Sequence, residues 1–460
     1  MSKSKAKIHQ DRIKLLKDPE IVKGKYVMYW MQQSQRVEWN HALEFAIDQA
    51  NQLDLPLIVV FGLMDDYPEA NLRHYTFMLQ GLRYTEKVLK ERKIKLIVSK
   101  GHPVDVALKL SRDAAMVVCD LGYLRHQKEW RQNFKQMADK KIYQVESDVV
   151  VPVETVSGKA EYAARTIRPK LHKSFKEYLD DPGQLKIKNS SLDLRIKGLN
   201  LSNPEQIARS LKLDQQVTPS SFFTGGTDQA KQRLKNFFSN HLHNYAEARN
   251  RPELNHISHM SMYLHFGQVA PTYIVNEIMR KKNGENADAY IEELMVRREL
   301  SMNYVHYTKD YDTYQSKPEW ARKSLEKHRN DERPHQYTRK QLENAETHDE
   351  YWNASMKEMK HTGFMHGYMR MYWGKKIIEW SNTPEYAFKT VLYLNNKYFI
   401  DGRDANSFTN VSWLFGQHDR GWPEREVFGK VRSMKASGLK RKFKPEKYVE
   451  KVEKLIESKS

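Results

Sequence analysis

Two hydroxyl side chains three residues apart, Ser258 and Ser261, stand in HISHMSMYLHFGQVAPTYI (256–274), just ahead of an apolar helical run. Hydroxyls and backbone N–H groups in such a turn can hold a phosphate. They can equally cap a helix. Upstream, Tyr245 and Arg249 lie one helical turn apart, a ring and a positive charge available to the same ligand. In YIEELMVRRELSMNYVHY (290–307), Glu292 and Glu293 precede an apolar pair and then Arg297, Arg298 and Glu299. A salt-bridged helix face accounts for most of this pattern. A carboxyl turned into a pocket would instead donate a proton or hydrogen bond to a substrate carbonyl. Asn395 and Asn396 precede a stretch from Asp401 to Asn410 that is rich in Asp, Asn and Gly and reads as a long polar loop. Long loops inside helical regions are functional or disordered. Trp413, Phe415, Trp422 and Phe428 argue against disorder here. Arg420 and Trp422 fall on an expected exposed tip, where a cation and a flat ring suit unstacked nucleic acid.

The indoles form a second pattern. Trp373 and Trp380 are one heptad apart in MHGYMRMYWGKKIIEWS, so both rings leave one helix face, roughly 10 Å apart along the axis. Trp352 lies upstream in HDEYWNASMKEMK. Core packing explains any one of them; the set raises the alternative that something needs a row of indoles. Metal chemistry finds little support. His361 and His366 are spaced poorly for one helix face, and His256 and His259 have no acidic or cysteine companion. There is no G-x-S-x-G, and Cys119, the single cysteine, falls in a strand where a buried inert thiol is the default.

These residues need elements to position them. A chain of 460 residues has room for two or three domains. Hydrophobic residues make up 39% and charged residues 29%, and no apolar run is long enough to span a bilayer. One cysteine excludes an intrachain disulfide and fits a reducing cytoplasm. The net charge of +19 points to a polyanionic partner, and eleven Lys or Arg against four Glu between residues 430 and 460 concentrate part of it. Residues 1–20 read as a polar, basic arm. From 21 to 150, apolar strands near 26–31, 55–62, 94–99, 115–120 and 141–147 alternate with helices near 41–53, 72–92, 103–112 and 126–139. That alternation predicts an α/β domain with a parallel, doubly wound (Rossmann-like) sheet whose ligands bind at the carboxyl ends of strands. No G-x-G-x-x-G follows the first strand. Residues 151–225 read as a connector and 226–460 as an all-α domain.

With those strings laid out, the chain resembles the class II cyclobutane pyrimidine dimer photolyases over nearly its whole length. The resemblance rests on the order and spacing of YVMYWMQQSQR, FGLMDDYPEANLRHY, EYAARTIRPK, YLHFGQV, ELMVRREL, THDEYWNA, GFMHGYMRMYWGKKIIEW, YLNNKYFIDGRDAN and HDRGWPEREVFGKVR. It implies an antenna-type α/β domain, a connector and a helical domain holding bent FAD, reduced in its active form. The implied reaction is light-driven electron transfer from the flavin to a flipped-out dimer, chemistry that belongs to the cofactor while the protein positions and tunes it. The resemblance carries over to Tyr245, Arg249, Ile257, Ser258, His259, Met260 and Ser261 around the FAD phosphates and ribose, and to Arg370 and Asp401 as a charged pair beside the ring. Asp404 falls in the same cofactor-binding set, and Asn395 matches the asparagine near flavin N5. Glu293 matches the acid that hydrogen-bonds the dimer, and Met371 and Trp413 match residues packed against it. Arg420 and Trp422 match the pair filling the hole left in the duplex, and Arg432 a DNA-contacting arginine. Trp373, Trp352 and Trp380, in that order outward, match the photoreduction chain. Some members have tryptophan where this chain has Arg297, so the dimer's ring sandwich is one-sided here. The implied partner is UV-damaged DNA, double- or single-stranded, bound by a monomer in the cytoplasm, at the nucleoid or, in a eukaryote, in the nucleus. Family members bind a deazaflavin antenna or none. The alternative is a cryptochrome-like signalling flavoprotein without repair activity.

Overall fold

The computed structural model describes residues 7–281 and 284–458. Six strands form one sheet: β1 (Ile13–Lys17), β2 (Tyr26–Trp30), β3 (Leu57–Leu63), β4 (Lys95–Lys100), β5 (Ala114–Asp120) and β6 (Lys141–Val145). Their order is β1-β6-β5-β2-β3-β4, and every pairing except β1 with β6 is parallel. Every residue of β2, β3 and β5 is buried, as a central strand covered on both faces requires. Leu43, Ile47, Tyr75 and Leu79 of helices His41–Gln52 and Leu72–Glu91 fill one face. Val104, Ala107, Trp130 and Phe134 of helices Pro103–Ser111 and Arg125–Met137 fill the other.

The amino-terminal arm is partly structured. Residues 13–17 are the antiparallel edge strand β1, because Ile13 and Leu15 pair with Val145 and Tyr143; residues 1–6 of the expected arm lie outside the described residues. Residues 151–225 do more than connect. After helix Ala164–Ser174 the chain runs along the free edge of β4, where the amides of Ser191 and Leu199 donate to Lys93 O at 3.1 Å and Val98 O at 2.8 Å. An exposed parallel edge is thereby covered.

Two large cores lie in the helical region. One gathers helix 164–174 with residues between 223 and 300; the other contains Trp352, Trp373 and Trp380 with Ile377, Phe388 and Tyr448. Helix Gly367–Trp380 is buried on nearly every side. At Gly374 a Cβ would stand 2.3 Å from Leu414 Cδ1, so a larger residue would have to push that side chain aside where helix Ala405–Leu414 packs. That helix corrects the polar loop expected over 401–410. Asp404 caps it by accepting from Ser407 N at 2.8 Å, and the Asp, Asn and Ser content marks a helix start. Between helices Gly284–Ile291 and Arg298–Tyr307, residues Glu292–Arg297 form a π-helical turn, a feature frequent at functional sites.

Arg73 fastens the sheet to the helical region. Its guanidinium donates to Met359 O, Lys360 O and Tyr398 O at 3.3, 2.6 and 2.9 Å, carbonyls at the ends of helices Glu350–Thr362 and Pro384–Tyr398. A cation at two helix carboxyl ends meets terminal carbonyls and favourable dipoles together.

Candidate cofactor and nucleic-acid site

Ser258 lies in the bend before helix Ser261–His265, and Tyr290 donates its hydroxyl to Ser258 Oγ at 2.6 Å. The Tyr290 ring packs against Tyr245 at 5.1 Å and Phe237 at 4.9 Å, so two separated segments hold the serine. Arg249 Nη1 donates to Glu293 Oε1 at 2.5 Å, which places the π-turn carboxylate beside the phosphate-type residues. Arg297 turns outward, half-exposed, and pairs with Glu292 at 3.2 Å; Glu292 also accepts both arms of Arg168. His259 has φ +55°, and burial takes its imidazole down to about 3, so it is neutral at physiological pH.

Ring contacts lead from this segment inward. His259 lies 4.7 Å from Phe364; the Arg370 guanidinium is 5.4 Å from Phe364 and 3.8 Å from Phe399; Phe399 meets Trp373 edge-on at 6.2 Å. Arg370 Nη1 donates to Asp401 Oδ1 at 3.0 Å, a largely buried ion pair. The orientation of Asn395 can be deduced. The Glu69 carboxylate only accepts, so Asn396 must turn Nδ2 toward it and leave Oδ1 for its neighbours. Asn395 Nδ2 donates to that Oδ1 at 2.9 Å, which leaves the Asn395 carbonyl oxygen on the opposite side. Asp404 is buried near Asp401, and burial with that like charge pushes its carboxyl up to about 6.

Trp352 links the other two tryptophans, one through a backbone carbonyl and one through its ring. Trp352 Nε1 donates to Trp373 O at 3.0 Å, and its ring lies 5.6 Å from the Trp380 ring at 67°. All three are at most 3% exposed. Trp380 continues outward to Tyr337 at 5.3 Å and His348 at 5.4 Å.

Trp413 and Trp422 have other company. Lys375 Nζ lies 5.1 Å and the Arg432 guanidinium 5.4 Å from the Trp413 ring centre; Arg432 and Arg420 lie 4.2 and 5.2 Å from that of Trp422. Arg432 thus joins the two indoles, while Arg420 is exposed. Met371, half-buried, sits on helix 367–380 one residue beyond Arg370.

A separate space opens at the carboxyl ends of β2, β3 and β5, where the chain leaves β2 in one direction and β5 lies on its other side. Gln32, Tyr67, His74, Tyr123, Trp130 and Asp404 are among its walls. Asp120 builds one rim by accepting from the amides of Gln32, Gln33 and Ser34 at 2.9, 2.9 and 3.1 Å.

The DNA photolyase family model matches residues 27–186. A deoxyribodipyrimidine photo-lyase from Methanothermobacter thermautotrophicus is 47% identical across 98% of this chain and all of its own length. The chain belongs to the DNA photolyase family. The photo-lyase of Arabidopsis thaliana is 37% identical over 94% of this chain and 89% of its own. Among solved structures, a class III photolyase from Agrobacterium tumefaciens superposes with a TM-score of 0.72 at 16% identity, covering 94% of this chain and 87% of its own. A Synechocystis cryptochrome gives 0.67 at 14%, covering 91% and 85%. At those identities the two structures speak to the fold alone.

Within this photolyase-family chain, His259 Nδ1, His366 Nε2 and Trp373 Nε1 are buried without a protein partner. Unpaired buried polar atoms are costly, and together with Ser258, Arg249, the Arg370–Asp401 pair and the free carbonyl of Asn395 they fit a flavin with its diphosphate. Asp404 lines the strand-end cavity and caps a helix, a placement the sequence did not reveal. Sequence reasoning also missed the cavity walls. Their signal was positional only, at the carboxyl ends of strands. Among the described residues no group of His, Cys, Asp or Glu gathers to hold a metal, and no helix is long and apolar enough to cross a membrane.

Proposed function

We propose that this chain is a class II cyclobutane pyrimidine dimer photolyase that repairs UV-damaged DNA in light. The observation that carries the reading is the unbroken run of contacts from His259 through Phe364, Arg370 and Phe399 to Trp373, with the Trp413–Arg432–Trp422 stack nearby in sequence. FAD, when bound in reduced form and excited by light, supplies the electron that splits the cyclobutane ring and receives it back. Ser258, Ser261 and Arg249 would hold its diphosphate, with Tyr245, Ile257, His259 and Met260 shaping that end. Arg370 and Asp401 would flank the ring as a charge-balanced pair, and Asn395 would offer its carbonyl oxygen to a ring N–H. Glu293 would turn from Arg249 to hydrogen-bond the dimer, against Met371 and Trp413. Trp373, Trp352 and Trp380 would carry electrons inward to re-reduce the flavin. The strand-end cavity, walled by Tyr67, Tyr123 and Trp130, would take a flat deazaflavin-type antenna.

The test is to mix flavin-reduced protein with dimer-containing DNA and compare blue light with darkness. Dimers disappear only in light under this reading. A protein that binds FAD but leaves dimers intact in light would contradict it.

A further inference from the structure

We infer that Asp419 sets the damage specificity of the DNA face by holding Arg420, Trp422 and Arg432 in one arrangement; this rests on reading residues 413–432 as that face.

The observation is a carboxylate where a polyanion would dock. Asp419 is 10% exposed at its side chain. Its Oδ2 accepts from Arg432 Nε at 3.1 Å; its Oδ1 accepts from Trp422 Nε1 at 3.4 Å and from the Arg420 amide at 2.9 Å. Its own amide donates to Gly416 O at 3.2 Å, and Trp422 N donates to Lys430 O at 2.8 Å. One side chain therefore bonds the tip cation's backbone, the tip indole and the arginine stacked between Trp422 and Trp413. The two guanidinium groups also lie over the Trp422 ring, so the carboxylate fixes a cluster that already stacks.

Charge alone argues against this residue. Affinity for duplex DNA grows with phosphates neutralised, and a carboxylate beside them subtracts from it. Replacing Asp419 by a neutral residue should therefore strengthen binding to any DNA, if charge were its whole effect. An ordering role predicts the opposite for damaged duplex only. Filling the gap left by an extruded dimer needs a ring and a cation held in place, and a loose loop must be ordered at the moment of binding. Undamaged duplex has no gap to fill, and a damaged single strand has no opposite strand to hold apart.

The experiment uses the full FAD-loaded chain in darkness, with fluorescence anisotropy against three probes: a duplex with one dimer, the same duplex undamaged, and the dimer-containing single strand. For Asp419→Asn the expected result is about a tenfold loss for damaged duplex, with equal or tighter binding of undamaged duplex and an unchanged single strand. Asp419→Glu keeps the carboxylate and should recover part of the loss. If Asp419→Asn loads too little FAD, Asp419→Ser replaces it in the same assay and should shift the damaged-to-undamaged ratio in the same direction. An unchanged ratio in whichever variant is measured overturns the inference. Arg420→Ala and Trp422→Ala separate the two levels. If both lower damaged-duplex affinity while Asp419→Asn does not, only the role of Asp419 falls. If neither lowers it, the reading of the loop falls, and this inference with it.

Discussion

Two sets of tryptophans in one helical region live in opposite surroundings. Trp352, Trp373 and Trp380 are buried among rings and aliphatic side chains, with Trp352 bonded to the Trp373 carbonyl and packed on the Trp380 ring. Trp413 and Trp422 are partly exposed and both lie against the Arg432 guanidinium. Among the described residues, Lys376 lies 5.6 Å from the Trp380 ring centre and is paired with Glu379 at 2.8 Å. A positive charge about 5 Å from an indole opposes a second positive charge on that indole by about 3 kcal/mol at an effective dielectric near 20. The buried set can therefore carry a positive hole with little opposition. The outer pair is suited to meeting bases and phosphates. The same residue type performs two jobs because its neighbours differ.

The sharpest break of this comparison is Trp373→Phe. Photoreduction of oxidised FAD should slow at least about tenfold, read as bleaching of flavin absorbance in blue light, while repair by chemically pre-reduced enzyme stays near normal. Equal bleaching in both proteins would remove the buried set's role. On the outer side, Arg420→Ala should weaken damaged-duplex binding by about tenfold and damaged single strand much less, measured by anisotropy. Equal losses would remove the hole-filling role. Glu293→Gln keeps shape but loses the charge paired with Arg249; repair per absorbed photon should fall severalfold while DNA affinity changes less. Unchanged repair would leave Glu293 as structural.

The smallest effect concerns Lys375, buried under Trp413 with Nζ donating to Leu414 O at 2.5 Å. Burial takes its pKa down to about 7 from 10.5. Below pH 7 the folded and unfolded states both carry the proton and the full cost of burying the charge is present. Between pH 7 and 10.5 only the unfolded state stays protonated, so this residue makes stability rise with pH. Lys375→Met should flatten that part of the rise in a Tm-against-pH series; an unaltered profile would show that the amine is charged throughout.

Legibility in the sequence followed the same divide between packing and assembly. The five parallel strands were readable because each is an apolar run of the right length, and the heptad between Trp373 and Trp380 placed both on one helix. Edge strand β1 was not readable: IKLLK is half-exposed and has no apolar alternation distinct from a basic arm. The 401–410 stretch misled because the residues that favour turns also cap helices. The cavity walls come from separate strand ends and from residues near 265, 298 and 404, so no local spacing announces them. Glu69 orienting Asn396, and through it Asn395, crosses more than 300 positions and needs coordinates to be seen.

The central claim, that the buried indoles carry charge and the cation-flanked ones do not, is tested most directly by flash spectroscopy on oxidised, FAD-loaded Trp380→Phe and Trp422→Phe side by side. The long-lived indole absorbance after a blue flash should vanish in Trp380→Phe and persist in Trp422→Phe. Persistence in the first, or loss in the second, would contradict the account.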